Sequence, residues 1–333
     1  MKGRRNNFVT LAAVMLSVLL LSGCGGGGEE KQTVNILSAN YEEQIQIQLE
    51  YLREKYPDAE INITYMSSGK LAAKLLAEGE DTDVDIALSL GSSYANQLKE
   101  AGLLRAYESE TAFKEEYADP DSMVLPNGVW CGAILVNTTE LESQNLPMPE
   151  SYEDLLDPVY KDKIVMANPV SSSTGYFFLL GILNLYGEEE GWAYFDKLSE
   201  NIMLYGDSGS VPSSMVEKGE AVIGLGIDYE GMRMEADGSP VKTVFALEGA
   251  PYDYDTTLLI NRGTEPDAFV LEVMKTITSL EGNAVFNNYN MSVLEGGEDV
   301  NAYPAHFQLL DMEGITDGEL KTTLTEQWST RYE

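Results

Sequence analysis

Two residue types are nearly missing from this 333-residue chain: it has two cysteines, Cys24 and Cys131, and one histidine, His306. A single imidazole excludes zinc sites built from several histidines, and it would make any Ser-His-Asp arrangement hang on one residue. His306 sits in Tyr303-Pro304-Ala305-His306, with no G-x-S-x-G turn to pair with. Basic residues are scarce too: 21 Lys and Arg face 55 Asp and Glu, a formal net charge of −34. That balance excludes a general nucleic-acid binder, which needs a basic face for phosphates. It also disfavours electrostatic docking on anionic lipid. The chain has no G-x-x-x-x-G-K-[ST] loop, and no G-x-G-x-x-G follows a strand. After residue 21 no stretch is long and apolar enough to span a bilayer.

The N-terminus has its own pattern. Lys2, Arg4 and Arg5 precede a mostly apolar run from Phe8 to Leu21. Leu21-Ser22-Gly23-Cys24 follows, which is a bacterial lipobox. Residues 1–23 are therefore expected to be a lipoprotein signal peptide, and Cys24 the thiol that takes a diacylglyceryl group. Residues 24–31 hold Gly25 to Gly28 and read as a flexible tether. Removing residues 1–23 takes away three basic residues and no acid, leaving 21 − 3 = 18 basic against 55 acidic side chains, or −37. With Cys24 acylated, only Cys131 remains, so no intramolecular disulfide is expected. The expected place is the outer face of the cytoplasmic membrane, or the periplasm, with the lipid as the membrane contact.

Apolar strands alternate with amphipathic helices through most of the rest. Strands are expected at 34–37, 61–65, 84–88, 129–137, 163–167, 202–205, 221–227, 241–247 and 256–260. Helices fall between them, and helical blocks at 266–280 and 282–289 follow the last strand. This alternation predicts an α/β fold with parallel-type sheets covered by helices.

Parallel α/β sheets bind ligands at the carboxyl ends of their strands. The turns there are rich in hydroxyls and glycine: Ser38-Ala39-Asn40, Ser67-Ser68-Gly69, Ser89-Leu90-Gly91-Ser92, Ser171-Ser172-Ser173-Thr174-Gly175 and Asp207-Ser208. Helices begin directly after them. A lone Ser or Thr there caps a helix. Five such turns point instead to a shared site, where free N–H groups and hydroxyls suit a phosphate or carboxylate. The run from 171 to 175 exceeds what one cap needs. Asp228-Tyr229 follows the strand ending at Ile227. Asp207 or Asp228 is a candidate partner for an ammonium or hydroxyl group, although Asp228 also fits a helix cap. Trp130 is a candidate stacking surface or a buried tryptophan. Tyr252-Asp253-Tyr254-Asp255 is expected to be a solvated turn rather than a cluster of metal ligands.

In Ser67-Ser68-Gly69, Asp83-Val84-Asp85, Asn127-Gly128-Val129-Trp130-Cys131-Gly132, Asp157-Pro158-Val159-Tyr160, Asn168-Pro169 with its hydroxyl run, and Lys218-Gly219-Glu220-Ala221, the chain resembles the solute-binding lipoproteins of bacterial ATP-binding-cassette importers. The resemblance is to the branch that includes ferric-iron, phosphonate, sugar-phosphate and thiamine binders, and it spans roughly residues 32–333. It implies a type II periplasmic-binding-protein-like fold: two lobes joined by two crossover strands and closing by a hinge. Lobe 1 would be 32–136 and 258–333, and lobe 2 would be 137–257. It implies a small-molecule ligand, permease and ATPase partners, and no catalysis. We expect a monomer without a cofactor. Ferric-iron members carry paired tyrosines where this chain has Asp228-Tyr229, so a metal is not expected, and Asp228 and Tyr229 are the ligands if ferric iron is the solute. A phosphonate, phosphate ester or zwitterion is the expected solute, since a −37 field favours mixed charge over a bare anion. The alternatives are an extracytoplasmic hydrolase using acidic residues, and a sensory or adhesive lipoprotein of the same fold.

Overall fold

A computed structural model of the chain describes residues 31–287, 291–299 and 302–332. The expected signal segment, Cys24 and the glycine tether lie outside the described residues.

The first lobe opens with β1 (Thr33–Ser38), α1 (Glu42–Lys55), β2 (Glu60–Tyr65), α2 (Ser68–Glu78), β3 (Ile86–Gly91), α3 (Ser92–Glu100) and the short β4 (Leu104–Arg105). β1 pairs in parallel with β2 on one side and β3 on the other. Fully buried Ile86, Ala87, Leu88 and Leu90 explain why β3 reads as a continuous apolar run. It begins later than the sequence suggests. Asp85, just before it, keeps backbone bonds to Asn35 and Ile260, while its carboxylate accepts the Asn35 N–H at 2.9 Å and pairs with Arg262 at 2.5 Å.

β5 (Leu125–Asn137) carries the chain across. It starts four residues before the expected Val129, and all of it is buried. The second lobe then contains α4 (Thr138–Ser143), β6 (Ile164–Ala167), α5 (Ser173–Tyr186), α6 (Glu188–Leu198), β7 (Ile202–Gly206), α7 (Ser210–Glu217), β8 (Ile223–Ile227), α8 (Asp228–Ala236) and β9 (Val241–Val244). α5 is the keystone. Ser172 caps it, accepting the Gly175 N–H at 3.5 Å, and residues 173–183 are all buried. A helix apolar on every side belongs inside a core, and Phe177 and Phe178 pack there against Trp130 and Tyr152.

β10 (Tyr252–Ile260) returns to the first lobe, followed by α9 (Ala268–Thr278), α10 (Leu280–Phe286) and α11 (Gly318–Tyr332). The strands hydrogen-bond in the order β2-β1-β3-β10-β5-β8-β6-β7, with β4 on β10 and β9 on β5. β5 divides its partners: residues 125–131 pair with β10, and residues 132–137 pair with β8 and β9. β10 pairs with both β5 and β3. These are the two crossovers of the expected two-lobed α/β fold. α9 packs on β1 and α10 on α1. α11 touches both lobes, lying on α3 while Trp328 packs edge-on to Phe195 and Tyr205.

One expectation is corrected here. Tyr252-Asp253-Tyr254-Asp255 is no solvated turn but the start of β10. Its residues alternate, with Asp253 and Asp255 buried and both tyrosines only partly covered. Antiparallel pairing with β5 draws the carboxylates inward at period two.

Candidate functional site

The carboxyl ends of the strands meet around one cavity of about 60 Å³. The first lobe contributes Ala39, Asn40 and Tyr41 after β1, Tyr65 at the end of β2 with Ser67 and Ser68 after it, and Ser89 in β3. The second lobe contributes Ser172, Ser173 and Thr174 after β6, Ser208, Gly209 and Ser210 after β7, and Ile227 at the end of β8 with Tyr229 and Glu230 after it. Trp130 and Asp255 reach in from the crossovers. α2, α5, α7 and α8 all begin at this cavity, so four sets of free N–H groups converge on it. Ser89 holds a left-handed φ of 54°, a strained backbone of the kind that clusters at functional sites.

No lysine or arginine is among the described lining residues; two carboxyls are. Asp255 accepts the Trp130 Nε1–H at 2.9 Å. Burial, reinforced by the charge of Asp253, pushes its carboxyl up to about 7. Glu230 accepts the Ser213 hydroxyl, and burial pushes it up to about 7 against the opposing pull of Ser213 and Arg233. Tyr41 stacks on Tyr229 with ring centroids 6.2 Å apart. The cavity therefore offers hydroxyl and N–H donors, two carboxyls of nearly neutral affinity for a proton, and aromatic walls.

The lobes touch across its mouth. The Gly69 N–H donates to the Ser171 carbonyl at 3.2 Å, and the Tyr94 hydroxyl to the Val170 carbonyl at 2.9 Å. Lys70 faces Asp207 at 3.7 Å, and Arg233 faces Glu43 at 3.6 Å. Gly69 is required by this approach: a β-carbon there would lie 2.8 Å from the Val170 carbonyl oxygen.

Residues 81–311 match the family model for bacterial extracellular solute-binding proteins. The chain belongs to this family. It is 28% identical over 207 residues to an uncharacterized protein of Haemophilus influenzae, covering 60% of each chain. It is 26% identical over 170 residues to a thiamine-binding periplasmic protein of Brucella abortus, covering 50% of this chain and 49% of that one. The chain thus spans about half to 60% of the length of these curated relatives. Among solved structures, the periplasmic binding protein AfuA from Actinobacillus pleuropneumoniae, with exogenous fructose-6-phosphate bound, superimposes with a TM-score of 0.81 at 23% identity. That superposition covers 90% of this chain and 98% of AfuA, and the shared fold is the expected type II arrangement.

The structure brings Asn40, Ser68, Trp130, Ser172, Ser173, Thr174, Ser208 and Tyr229 to the cavity. It places the other candidates around it. Ser38 is buried, its Oγ accepting the Asn40 N–H at 3.2 Å. Gly69 and Ser171 form the contact between lobes. Ser92 is buried against Asp253, donating its hydroxyl at 2.5 Å. Gly175 packs under the Ala167–Pro169 backbone, where a β-carbon would lie 2.5 Å from a carbonyl oxygen. Asp207 stands at the exposed mouth beside Lys70. Asp228 is fully buried away from the cavity, accepting the Cys131 N–H at 3.1 Å and the Tyr303 hydroxyl at 2.6 Å. Of the pair named for ferric iron, only Tyr229 lines the cavity.

Sequence reasoning missed Tyr41, Tyr65, Glu230 and Asp255 as site residues. Tyr41 and Tyr65 each border a turn that was recognised. Glu230 lies two residues beyond Asp228, just inside α8. Asp255 was hidden by reading its strand as a turn.

Proposed function

We propose that this chain is the extracytoplasmic solute-binding component of an ABC importer. It captures one small polar solute between its lobes and delivers it to a permease driven by an ATPase. It acts as a binding protein rather than an enzyme. A lipid on Cys24 holds it at the outer face of the cytoplasmic membrane, and residues 24–31 give the lobes, 32–136 with 258–333 and 137–257, reach toward the permease.

The solute is an organic molecule of mixed charge. The observation that carries this reading is the make-up of the cavity: hydroxyls and four helix starts, two carboxyls, Asp255 and Glu230, and no basic side chain among the described lining residues. Ser68, Ser172, Ser173 and Thr174 take a phosphate, phosphonate or carboxylate. Asp255 and Glu230 take hydroxyls or an ammonium. Asp228 is withdrawn from a metal-binding role by its bonds to Cys131 and Tyr303, which weighs against the ferric-iron alternative.

Native mass spectrometry of protein purified without denaturation tests the reading. The expected result is an adduct with the mass of a small organic acid or zwitterion, lost on unfolding. An iron adduct would overturn the solute class. Turnover of phosphate esters by the purified protein would overturn the non-enzymatic role.

A further inference from the structure

Behind the cleft, α11 carries a lysine whose surroundings do not suit a stabilising role. Lys321 is 2% exposed. Its Nζ lies 3.7 Å from the ring centroid of Tyr94 and 3.6 Å from that of Tyr176. Tyr94 belongs to α3 in the first lobe, and Tyr176 to α5 in the second. Nζ has no hydrogen-bond acceptor among the described residues. Burial pushes the lysine well below its usual value, and the charge of Asp253 pulls the other way. An ammonium stripped of water and hydrogen bonds is costly, and ring faces compensate only in part. Replacing such a group by an apolar one of similar volume is often neutral or stabilising.

Asp253 connects this lysine to the site. It lies on the crossover β10, fully buried, and its Oδ1 accepts the Ser92 hydroxyl at 2.5 Å and the Ser92 N–H at 3.2 Å, at the start of α3. Its Oδ2 lies near the start of α5 without a hydrogen-bond partner among the described residues. A β-carbon on Gly91 would lie 2.6 Å from that oxygen and 2.4 Å from the Ser173 Oγ. Ser173 lines the cavity, and Asp255, two residues along the same face of β10, lines it as well.

We propose that Lys321 is a positioning residue for the cleft: buried and bracketed by one tyrosine from each lobe, it fixes the hinge posture in which Ser173 and Asp255 converge on the solute. α11 thereby acts as a third connection between the lobes, beside β5 and β10. The solute arm of the test below rests on the solute-binding reading; the hinge arm does not.

The test compares the full chain with Lys321→Met, Lys321→Gln and Lys321→Arg variants. Three quantities are read: melting temperature, radius of gyration from small-angle X-ray scattering, and the fraction of protein carrying co-purified solute in native mass spectra. Lys321→Met is expected to melt no lower than the parent, to have a larger radius of gyration, and to carry severalfold less solute. Lys321→Gln follows it in the last two readouts, and Lys321→Arg, which keeps the cation, restores the parent's values. An unchanged radius of gyration in both uncharged variants overturns the inference. So does a drop in melting temperature as the sole effect of Lys321→Met, which is what a merely structural lysine would give. If no solute accompanies even the parent chain while the radius still grows, the hinge assignment stands and the solute-binding reading fails.

Discussion

Gly69→Ala separates lobe closure from the chemistry of the pocket. The added methyl removes no ligand-binding group. It would sit 2.8 Å from the Val170 carbonyl oxygen and 2.9 Å from the Ser171 Cα, both backbone atoms of the opposite lobe. Neither can swing aside as a flexible side chain would. Within its own lobe the substitution is benign. Gly69 is in the first turn of α2 and is not among the positive-φ glycines, so alanine there restricts the unfolded chain and stabilises by about 0.4–1 kcal/mol. The closed form bears the whole penalty. Forcing a methyl into a packed contact costs about 1–3 kcal/mol. Stretching the Gly69 N–H to Ser171 bond, 3.2 Å long here, adds about 0.5–1.5 kcal/mol. The closed state therefore loses about 1.5–4.5 kcal/mol, and at 1.4 kcal/mol per decade solute affinity falls roughly ten- to a thousand-fold.

The assay is isothermal titration with the solute recovered from the parent protein, run beside thermal unfolding of the solute-free variant. The expected pair of results is a weakened affinity and a melting temperature equal to or above the parent's. Unchanged affinity would refute the reasoning, because it would mean that the solute-bound form does not bring Gly69 against Ser171. A parallel loss of stability and affinity would also refute it, by locating the damage inside the first lobe.

Three further outcomes follow from the site and its surroundings. Burial raises the Asp255 carboxyl from 3.8 and that of Glu230 from 4.5, each to about 7. The folded state then binds more protons than the unfolded chain between those limits, so the stability these groups contribute is full below about pH 4 and is lost as pH rises through 7. The melting temperature of solute-free protein should fall from pH 5 to pH 8, and Asp255→Asn with Glu230→Gln should flatten that slope; Asp119, whose carboxyl is lowered, acts at more acid pH. Ser172→Ala with Ser173→Ala should weaken the solute about tenfold or more in titration while costing about 1 kcal/mol of stability through the lost α5 cap, and unchanged affinity would remove the anion end of the pocket. Cys131 is fully buried and its thiol is raised well above its usual value by burial and by Asp228, so Ellman's reagent should modify it only after unfolding.

The alternation of strands and helices was legible because it is local. A fully buried strand with a parallel neighbour, such as β3 or β6, is an apolar run with a hydroxyl-rich turn after it, and the sequence displays both. The turns identified the rim of the cavity for the same reason: Ser68, Ser172, Ser173 and Ser208 are where chain direction reverses. The strand limits were less legible where a side chain joins the ladder, as the Asp85 carboxylate does by accepting the Asn35 N–H just before β3. The partition of the hydroxyls was not legible at all. Ser92 and Ser173 occupy equivalent positions at helix starts, yet Ser92 is bound to Asp253 and Ser173 faces the cavity, a difference made by β10 arriving from more than 150 residues away.

The carboxylates were misread for a deeper reason. In a chain with 55 acidic residues, an Asp in Tyr-Asp-Tyr-Asp is solvated by default. What overrides the default is the antiparallel register of β10 on β5, which places Asp253 opposite Trp130 and Asp255 opposite Gly128. Gly128 gives Asp255 a neighbour with no side chain, and a β-carbon there would collide with Asn287. Trp130 supplies the indole N–H that Asp255 accepts. Without that donor the carboxyl would be buried with no compensation, a cost of several kcal/mol per ion even after relaxation. The crossovers thus do more than join the lobes. β10 also holds Asp253 and Asp255, whose carboxyls burial raises to about 6 and about 7. The charge of Asp253, two residues along the same face of β10, adds to burial in raising Asp255, so the strand register that buries the pair also sets how readily Asp255 takes up a proton.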